Sequence, residues 1–399
     1  MHGSLISELR LLLVVPEYPP HVVGGGGIVY QRIAEHMRRR GHEVVVAYGD
    51  FTGSGPERIP AGPTLPEIRA LSSMRTPRNM PWIRSAMPPT LGGVRRLRQT
   101  IGEGWDVAHL HGVGFPLVDL AARFLRQKNI PFVFTIHGVP NSPRRRGFWT
   151  SAIFQSYMRF GTSATIRHAA EVTAVSASLL SDRQLGKTHG MVIYNGTDVM
   201  PPAPDFHAVH PLANSPIRVL SISRISLNKG LDLAVEAVAR LNREGYSVTY
   251  DLFGPDGGEK ESIRGLIARC GQENMINLRG TFEPSRRVAI MREYHALLVP
   301  SRVEGFGLAA LEGLAAGIPV IASRVDGLAE FLSDENAILV NKESVRDLER
   351  AILKLYDVNL TAALAQGARK TVESFSWEHS LSEYAALLES VASRERSLE

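Results

Sequence analysis

The sequence predicts an α/β protein made of two doubly wound domains, and three observations lead to this prediction. Short apolar runs alternate with helical stretches along the chain, which is typical of parallel sheets with crossover helices. The length of 399 residues exceeds the roughly 250–300 residues at which single hydrophobic cores stop growing. A proline-rich segment at residues 200–211 lacks hydrophobic periodicity and is typical of a semi-rigid linker.

We therefore place a first Rossmann-like domain at residues 1–200, a linker at 201–216, a second such domain at 217–375 and a C-terminal segment at 376–399. Ligands of doubly wound sheets bind at the carboxyl ends of the strands. Two such domains facing a central cleft would suit an enzyme with two substrates, one held on each side.

Each predicted strand is a short apolar run bounded by turn residues. In the first half the predicted strands are 10–15, 43–48, 107–110, 132–136, 171–175 and 191–194. In the second half they are 218–223, 249–253, 276–279, 296–299, 319–322 and 337–340. The glycine- and proline-rich residues 53–66 are expected to form an exposed loop.

The composition is that of a soluble globular protein, with 44% hydrophobic and 21% charged residues. Cys270 is the only cysteine, which excludes an intrachain disulfide and a cysteine metal cluster and fits a reducing cytoplasm. The first strand is too short to span a bilayer, and residues 1–10 lack the long apolar region of a signal peptide. We expect a cytoplasmic protein whose membrane association, if any, is peripheral.

The net charge of +5 arises partly from three short arginine clusters, at residues 38–40, 95–98 and 144–146. Such clusters attract phosphates, nucleic acid or an anionic membrane surface. The alternative is a solvated face, or cations that favour a helix C-terminus. The alternative fits residues 38–40, which end a predicted helix before Gly41.

The most informative segment runs from Ser301 to Glu312, where a buried strand turns through two glycines into a helix. Gly307 and its neighbours expose backbone N–H groups at the start of a helix predicted from Leu308 to about residue 316. Such an N-terminus is an anion site. Glu304 lies before it and Glu312 about one turn past it, an arrangement that matches a ligand with hydroxyls at both ends and a central diphosphate, as in a nucleotide sugar. The alternative is an ordinary strand–turn–helix unit.

Two cations follow the first strand of the second half. Arg224 can fork onto phosphate oxygens, while Lys229, just before Gly230, acts as a point charge. The alternative is a pair of surface cations near a turn.

A run of four glycines at residues 24–27 follows the first strand and precedes a helix predicted at 28–40. The run suits a phosphate or a sugar ring approached closely by backbone. It does not continue as Gly-x-Gly-x-x-Gly, because Val29 and Tyr30 follow, so a dinucleotide site is disfavoured. A flexible loop over the cleft is favoured instead.

Other polar residues stand at predicted strand ends, where a substrate would be met. His137 and His111 each follow a strand of the first half, and Asn195 follows its last strand. Asp256 lies in the glycine-rich turn after the second strand of the second half. The alternative is that the histidines are structural and the others belong to turns.

Metal and nucleophile motifs are missing from the sequence. It has no Asp-x-Asp pair, no His-Glu-x-x-His, no Gly-x-Ser-x-Gly and no Walker lysine motif. We therefore expect no metal ligands and no bound cofactor.

Taken together, these segments resemble the family 4 glycosyltransferases, retaining enzymes of the GT-B architecture. The matching segments occur in the family's order over nearly the whole chain: residues 24–27, 135–138, 175–176, 195–198, Arg224 with Lys229 and Gly230, 254–257, and 304–312. The resemblance also implies that the helix after Trp377 crosses back to the first domain.

The resemblance implies roles for the residues of the second domain. Arg224 and Lys229 would neutralise the donor diphosphate, Glu304 would hold sugar hydroxyls, and Glu312 would bind the ribose. Backbone N–H groups near the sugar and phosphates would come from Phe306, Gly307 and Leu308. Asp256 and residues 280–283 would lie near the base.

In the first domain, His137 would contact the donor sugar near the reacting carbon, and Gly25 and Gly26 would approach the donor phosphate or the acceptor. Asn195 would belong to the donor site. His137, Arg224, Lys229 and Glu304 are thus the implied catalytic residues.

The implied function is transfer of a sugar, of the hexosyl type, from a UDP-, GDP- or ADP-linked donor to an acceptor hydroxyl in cell-envelope, polysaccharide or glycolipid synthesis. The nucleotide sugar would be a co-substrate rather than a cofactor, and no nucleic acid partner is expected. The arginines at 144–146 precede Phe148 and Trp149, which suggests docking of a lipid-linked or anionic acceptor at a membrane.

Three alternatives belong to other classes. A sugar-nucleotide epimerase of the same architecture would bind the donor without an acceptor. A non-catalytic sugar-binding protein is disfavoured by Arg224 and Lys229, and a nicotinamide oxidoreductase by the imperfect glycine pattern.

Overall fold

A computed structural model describes residues 8–19, 25–51, 58–74, 87–139, 156–185, 188–198, 211 and 215–396. The chain divides into two compact units. The first comprises residues 1–194 together with 379–399, and the second comprises residues 195–378. The linker predicted at 201–216 falls largely outside the described residues.

The first unit contains a sheet with the strand order β3-β4-β2-β1-β5-β6-β7-β8. All its described pairings are parallel except β3 with β4. The strands are β1 (Arg10–Val15), β2 (Glu43–Asp50), β3 (Arg58–Ile59), β4 (Glu67–Ser72), β5 (Val107–His111), β6 (Phe132–Ile136), β7 (Glu171–Ala174) and β8 (Met191–Val192). The helices are α1 (Gly26–Arg39), α2 (Leu91–Ile101), α3 (Pro116–Gln127), α4 (Ser163–His168) and α5 (Ala177–Leu180), with a π-helical turn at Met158–Thr162.

The second unit contains a parallel sheet with the order β11-β10-β9-β12-β13-β14, the order of a classical dinucleotide-binding fold. Its strands are β9 (Ile217–Ile222), β10 (Val248–Phe253), β11 (Ile276–Gly280), β12 (Ala296–Val299), β13 (Val320–Ser323) and β14 (Ile338–Val340). Its helices are α6 (Leu231–Arg243), α7 (Lys260–Arg269), α8 (Arg287–Met291), α9 (Leu308–Ala316), α10 (Asp326–Ala329), α11 (Val345–Leu353) and α12 (Val358–Glu373). Short 3₁₀ turns cover Leu227–Lys229, Pro284–Arg286 and Lys354–Tyr356.

The last helix, α13 (Trp377–Arg396), starts at the end of the second unit and continues in the first. Within the first unit, Glu389 accepts hydrogen bonds from Arg40 at 2.8 Å and contacts His42 at 3.2 Å. The ring of Tyr384 lies 5.5 Å from that of His109 on β5. This helix therefore contributes to the core of the first unit.

The central strands form because their apolar runs are buried on both faces of each sheet, as parallel sheets require. Every residue of β5, β6, β12 and β13 is buried. All twelve predicted strands are present, with ends within two residues of the predicted ones. The predicted fold class is confirmed.

Two details differ from the sequence-based predictions. Part of the loop expected at 53–66 forms the short strand β3, and β4 next to it was not predicted. The first helix begins at Gly26 rather than at residue 28, because the last glycines of the run adopt helical geometry. The arginines that end this helix are structural, as expected: Arg38 donates to the carbonyl oxygens of His42 and Gly62.

Candidate active site

The second unit has its topological switch point between β9 and β12, which are neighbours in the sheet although two strands separate them in sequence. Ligands bind in the crevice outside the carboxyl ends of strands at such a point. The loop that carries Arg224 and Lys229 follows β9, and the loop that carries Glu304 follows β12. The fold thus brings together residues predicted from two separate segments.

Lys229 and Glu304 form an ion pair across this switch point. Lys229 Nζ donates to both carboxylate oxygens of Glu304, at 2.8 and 2.7 Å. Ser301 Oγ donates to Glu304 Oε2 at 2.9 Å. The two charged side chains are 23% and 12% exposed, so the pair is largely shielded but still reachable. This arrangement fixes the carboxylate and places a cation beside it.

The turn that carries Lys229 is held against the Glu304 loop by two features. Gly230 has a φ of +60°, and a Cβ there would lie 2.0 Å from the carbonyl oxygen of Pro300. Arg302, which the sequence analysis did not single out, binds Asp232 in a bidentate manner at 2.7 Å and donates to the Leu227 carbonyl at 2.9 Å. The position of the Lys229 turn therefore depends on Gly230 and Arg302.

Arg224 is half-buried, and its Nε is a buried donor without a partner among the described residues. Its side chain lies along Gly257, where a Cβ would come 2.6 Å from Arg224 Cγ. Backbone hydrogen bonds of 2.9 Å join Ile225 to Pro255 and Gly257, so the two loops form one unit. A buried guanidinium N–H without a partner is suited to an anionic ligand.

Asp256 is exposed at the tip of this second loop. Its carboxylate accepts hydrogen bonds from the backbone N–H groups of Gly258 at 2.7 Å and Lys260 at 3.3 Å. These bonds cap the approach to α7, so the turn role of Asp256 is established by the structure, and its role near a base stays a prediction.

Helix α9 begins directly after Gly307, which has a φ of +100°. A Cβ at this position would lie 2.2 Å from Leu328 Cδ2, so only glycine fits without rearrangement. Phe306 is buried, and its ring lies 4.9 Å from Phe331 and 6.0 Å from Phe375. The side chain of Phe306 is therefore part of the packing beside this turn, and Leu308 is the first residue of α9.

Glu312 lies in α9 and pairs with Arg287 at the start of α8, with 2.5 Å between Arg287 Nη1 and Glu312 Oε1. Glu312 Oε2 is buried without a partner among the described residues. Burial raises the pKa of Glu312, and Arg287 opposes that rise. Glu312 thus presents one acceptor without a partner among the described residues, and its neighbour Arg287 was not indicated by any sequence pattern.

Asn195 is buried in the second unit, and its Oδ1 has no partner among the described residues. The segment that follows pairs with the end of the same unit, because Thr197 N donates to the Phe375 carbonyl at 2.9 Å. Gly196 packs against this segment so closely that a Cβ would lie 2.3 Å from Trp377 N.

In the first unit, β1 and β5 form the switch point, and the glycine loop follows β1. Gly25 precedes α1 and is exposed, and Gly26 is its first residue. A Cβ at Gly26 would lie 2.7 Å from the hydroxyl of Tyr30, so packing within the helix explains this glycine without a ligand. Residue 24 lies outside the described residues.

His137 follows β6, and its Nε2 lies 2.9 Å from Nδ1 of His111 at the end of β5. The ring of Tyr30 lies 5.2 Å from that of His137. Loss of solvation lowers the pKa of His137 to about 3, although part of its surface remains exposed. The histidine is therefore neutral near pH 7.

The predicted residues belong to both units. Gly25, Gly26 and His137 lie in the first, and all the others lie in the second. The arginines at 144–146 with Phe148 and Trp149 lie outside the described residues. In the described parts of the chain, every helix is too short or too polar to cross a lipid bilayer.

Two family models match the chain in succession. The model of Glycosyltransferase Family 4 matches residues 23–200, and the model of Glycosyl transferases group 1 matches residues 203–371. The fold and the two matches define a glycosyltransferase. The chain belongs to the family 4 type of these enzymes and has their GT-B fold.

Individual relatives agree with this assignment. A glycogen synthase of Mycobacterium tuberculosis is 26% identical over 93% of this chain and 92% of its own length. Sucrose-phosphate synthase of Thermosynechococcus elongatus has a similar structure, with a TM-score of 0.77 and 20% identity over 96% of this chain and all of that one. Anabaena HepE, solved in complex with UDP and glucose, has a TM-score of 0.71 and 20% identity over the same shares.

Proposed function

We propose that this glycosyltransferase moves a sugar, of the hexosyl type, from a nucleotide-diphosphate sugar to an acceptor hydroxyl with retention of anomeric configuration. The observation that carries the proposal is the group of Arg224, Lys229 and Glu304 beside the start of α9, at the switch point of the second sheet. The similar fold of HepE, which was solved with UDP-glucose, supports a nucleotide-linked donor.

The donor's parts correspond to the residues along this edge. Arg224 and Lys229 bind the diphosphate together with the N–H groups at the start of α9. Glu304 accepts hydrogen bonds from sugar hydroxyls, and its contacts with Lys229 and Ser301 keep its carboxylate oriented. Glu312 accepts from the ribose through its unengaged Oε2.

Catalysis follows from charge development on the donor. As the bond between the sugar carbon and the diphosphate oxygen breaks, negative charge builds up on the diphosphate. Arg224, Lys229 and the helix N–H groups stabilise that charge more in the transition state than in the ground state. We propose that these groups make a metal ion or cofactor unnecessary, and unchanged activity after treatment with EDTA would be the supporting result.

We further propose that the acceptor is a sugar or a lipid-linked sugar of envelope, polysaccharide or glycolipid synthesis. Contact with the membrane would then come from the arginines at 144–146 with Phe148 and Trp149. Replacing the three arginines with serine should weaken binding to anionic liposomes. Binding that is unchanged and insensitive to salt would contradict this contact.

The donor is tested by thermal shift with UDP-, GDP- and ADP-linked sugars. A donor at about 100 times its Kd stabilises the folded protein by about 2.7 kcal/mol and raises Tm. Product analysis by NMR then gives the anomeric configuration and separates transfer from epimerisation and from binding alone. A protein that responds to no nucleotide sugar would contradict the proposal.

Lys229→Ala and Glu304→Ala should each lower kcat by about 100-fold or more, because each removes a group that acts on the donor during bond cleavage. The matched control is Lys342→Ala, which removes an exposed lysine of the same unit. Circular dichroism should show all three variants folded. Near-normal turnover in both site variants would refute the assignment.

A further inference from the structure

Three histidines form a buried cluster at the carboxyl ends of β5 and β6 in the first unit. His109 and His111 on β5 are completely buried, and their ring centroids are 3.9 Å apart. His111 Nδ1 lies 2.9 Å from Nε2 of His137. His109 turns away from this contact, because its Nε2 lies 2.7 Å from the hydroxyl of Thr135. Among the described residues, His111 therefore has one polar contact, and that contact is His137.

All three imidazoles are neutral at pH 7. Burial lowers the pKa of His109 and His137 to about 3, and it also lowers the pKa of His111 well below its usual value. Among the described residues, the phenols of Tyr30 on α1 and Tyr384 on α13 lie against the cluster, and Glu17 acts electrostatically on Tyr30. Burial raises the pKa of both phenols, so they are uncharged as well. In a neutral pair of imidazoles, one nitrogen must donate and the other must accept.

The direction of this hydrogen bond follows from the far side of His111. Its Nε2 is buried without a partner among the described residues. If His137 donated, His111 would carry its proton on Nε2, as a buried N–H group without an acceptor in the described parts of the chain. Orphaned buried N–H groups are rare because they lose a hydrogen bond to water without replacement. If His111 instead carries its proton on Nδ1, no buried N–H group of this ring is left without an acceptor, and Nε2 of His111 has only an unused lone pair.

We propose that His111 is a positioning residue that donates from Nδ1 to His137 Nε2 and so holds His137 as its Nδ1–H tautomer. The hydrogen bond made by one ring nitrogen decides which tautomer the other nitrogen presents. His137 then offers a donor from Nδ1, suited to an oxygen of a sugar hydroxyl or a phosphate. The role of His137 toward a donor rests on the proposed function, but its tautomer does not.

The tautomer can be read without any substrate. In the full-length protein labelled with ¹⁵N-histidine, long-range ¹H–¹⁵N correlation spectra at pH 7.5 distinguish Nδ1–H from Nε2–H, and the His137→Asn spectrum identifies the signals of His137. We expect the Nδ1–H form in the wild type. In His111→Leu, where no donor remains, the Nε2–H form should gain population. In His111→Asn, whose amide N–H lies near the original Nδ1, the wild-type form should persist.

Kinetics provide the second readout. His111→Leu should lower kcat about 10-fold or more, the usual range for losing the group that orients a functional histidine, while the KM for the donor changes by less than about threefold. His111→Asn should recover most of this loss. A residue with only a packing role would instead show losses that follow Tm, and asparagine, being smaller and polar, would be worse than leucine.

An Nε2–H tautomer of His137 in the wild type would overturn the proposal, and this measurement needs no variant to fold. An unchanged His137 tautomer in folded His111→Leu would do the same, as would a kcat in His111→Asn no better than in His111→Leu. If the wild type transfers no sugar from any nucleotide donor, the proposed function fails, while the spectra still decide the role of His111.

Discussion

Replacing Arg287 with methionine tests whether the acid on α9 is held as a charged group by its neighbour. The change removes the guanidinium that contacts Glu312 and leaves a side chain of similar length. Removing one partner of a buried ion pair costs about 3–5 kcal/mol. Because these two side chains remain 22% and 15% exposed, we expect about 2–3 kcal/mol at pH 7.5. For a unit of this size, Tm falls by about 4–12 °C.

The effect has a defined pH dependence. Burial already raises the pKa of Glu312 in the folded protein, and loss of Arg287 raises it further. A carboxyl group whose pKa is higher in the folded state than in the unfolded state binds protons more readily when folded. Stability is therefore gained as the pH falls through the folded pKa toward the unfolded one. The cost of Arg287→Met should be smaller at pH 5 than at pH 7.5.

A double-mutant cycle completes the test. Arg287→Met, Glu312→Gln and the double variant are compared by urea-induced unfolding, followed by circular dichroism at both pH values. The double variant should be more stable than Arg287→Met by about 1 kcal/mol or more, because it no longer buries an uncompensated carboxylate. A cost below about 0.5 kcal/mol for Arg287→Met, or a double variant that is no more stable, would refute the reasoning.

Two further predictions concern stability. Gly307→Ala should lower the free energy of unfolding by at least about 1 kcal/mol more than Gly245→Ala does. Both glycines have positive φ, at +100° and +92°, but only the methyl group at 307 meets Leu328. Equal losses of stability in urea unfolding would contradict this prediction. Between pH 7.5 and 5, the first unit should lose about 2 kcal/mol of folding stability for each of His109 and His137. Their pKa of about 3 in the folded state lies below the unfolded value near 6.5, so the unfolded state takes up more protons as the pH falls. A Tm that does not change across this pH range would contradict the prediction.

The sequence predicted most strands because parallel strands that are buried on both faces read as apolar runs. Strand β4 was not predicted because Glu67 and Arg69 place charges within it, so it does not read as an apolar run. Its charges are compensated by partners from elsewhere in the chain: Arg58 contacts Glu67 at 2.7 Å, and Glu103 contacts Arg69 at 2.5 Å. A pattern that reads one segment at a time cannot include such partners.

The same limit applies to the candidate site. Glu304, Gly307 and Glu312 stand on one strand–turn–helix unit, so their spacing was informative. Arg287 reaches the site from another segment. Arg302 lies within the 301–312 segment, but its contact with the Leu227 carbonyl is made only in the folded chain. Glycine patterns are also ambiguous, because Gly26 avoids Tyr30 whereas Gly230 allows two loops to touch. The reason for a glycine at a given position therefore depends on the residues that pack against it in the folded chain.

The second unit begins and ends at the same place, where Thr197 is hydrogen-bonded to Phe375 and the backbone at Gly196 touches that of Trp377. The two ends of this unit are therefore far apart in sequence and adjacent in space. A graft that replaced residues 195–376 as one cassette would join chain ends that already touch and would leave α13 whole. We expect such a graft to carry the whole candidate donor site of the second unit through only two adjacent junctions.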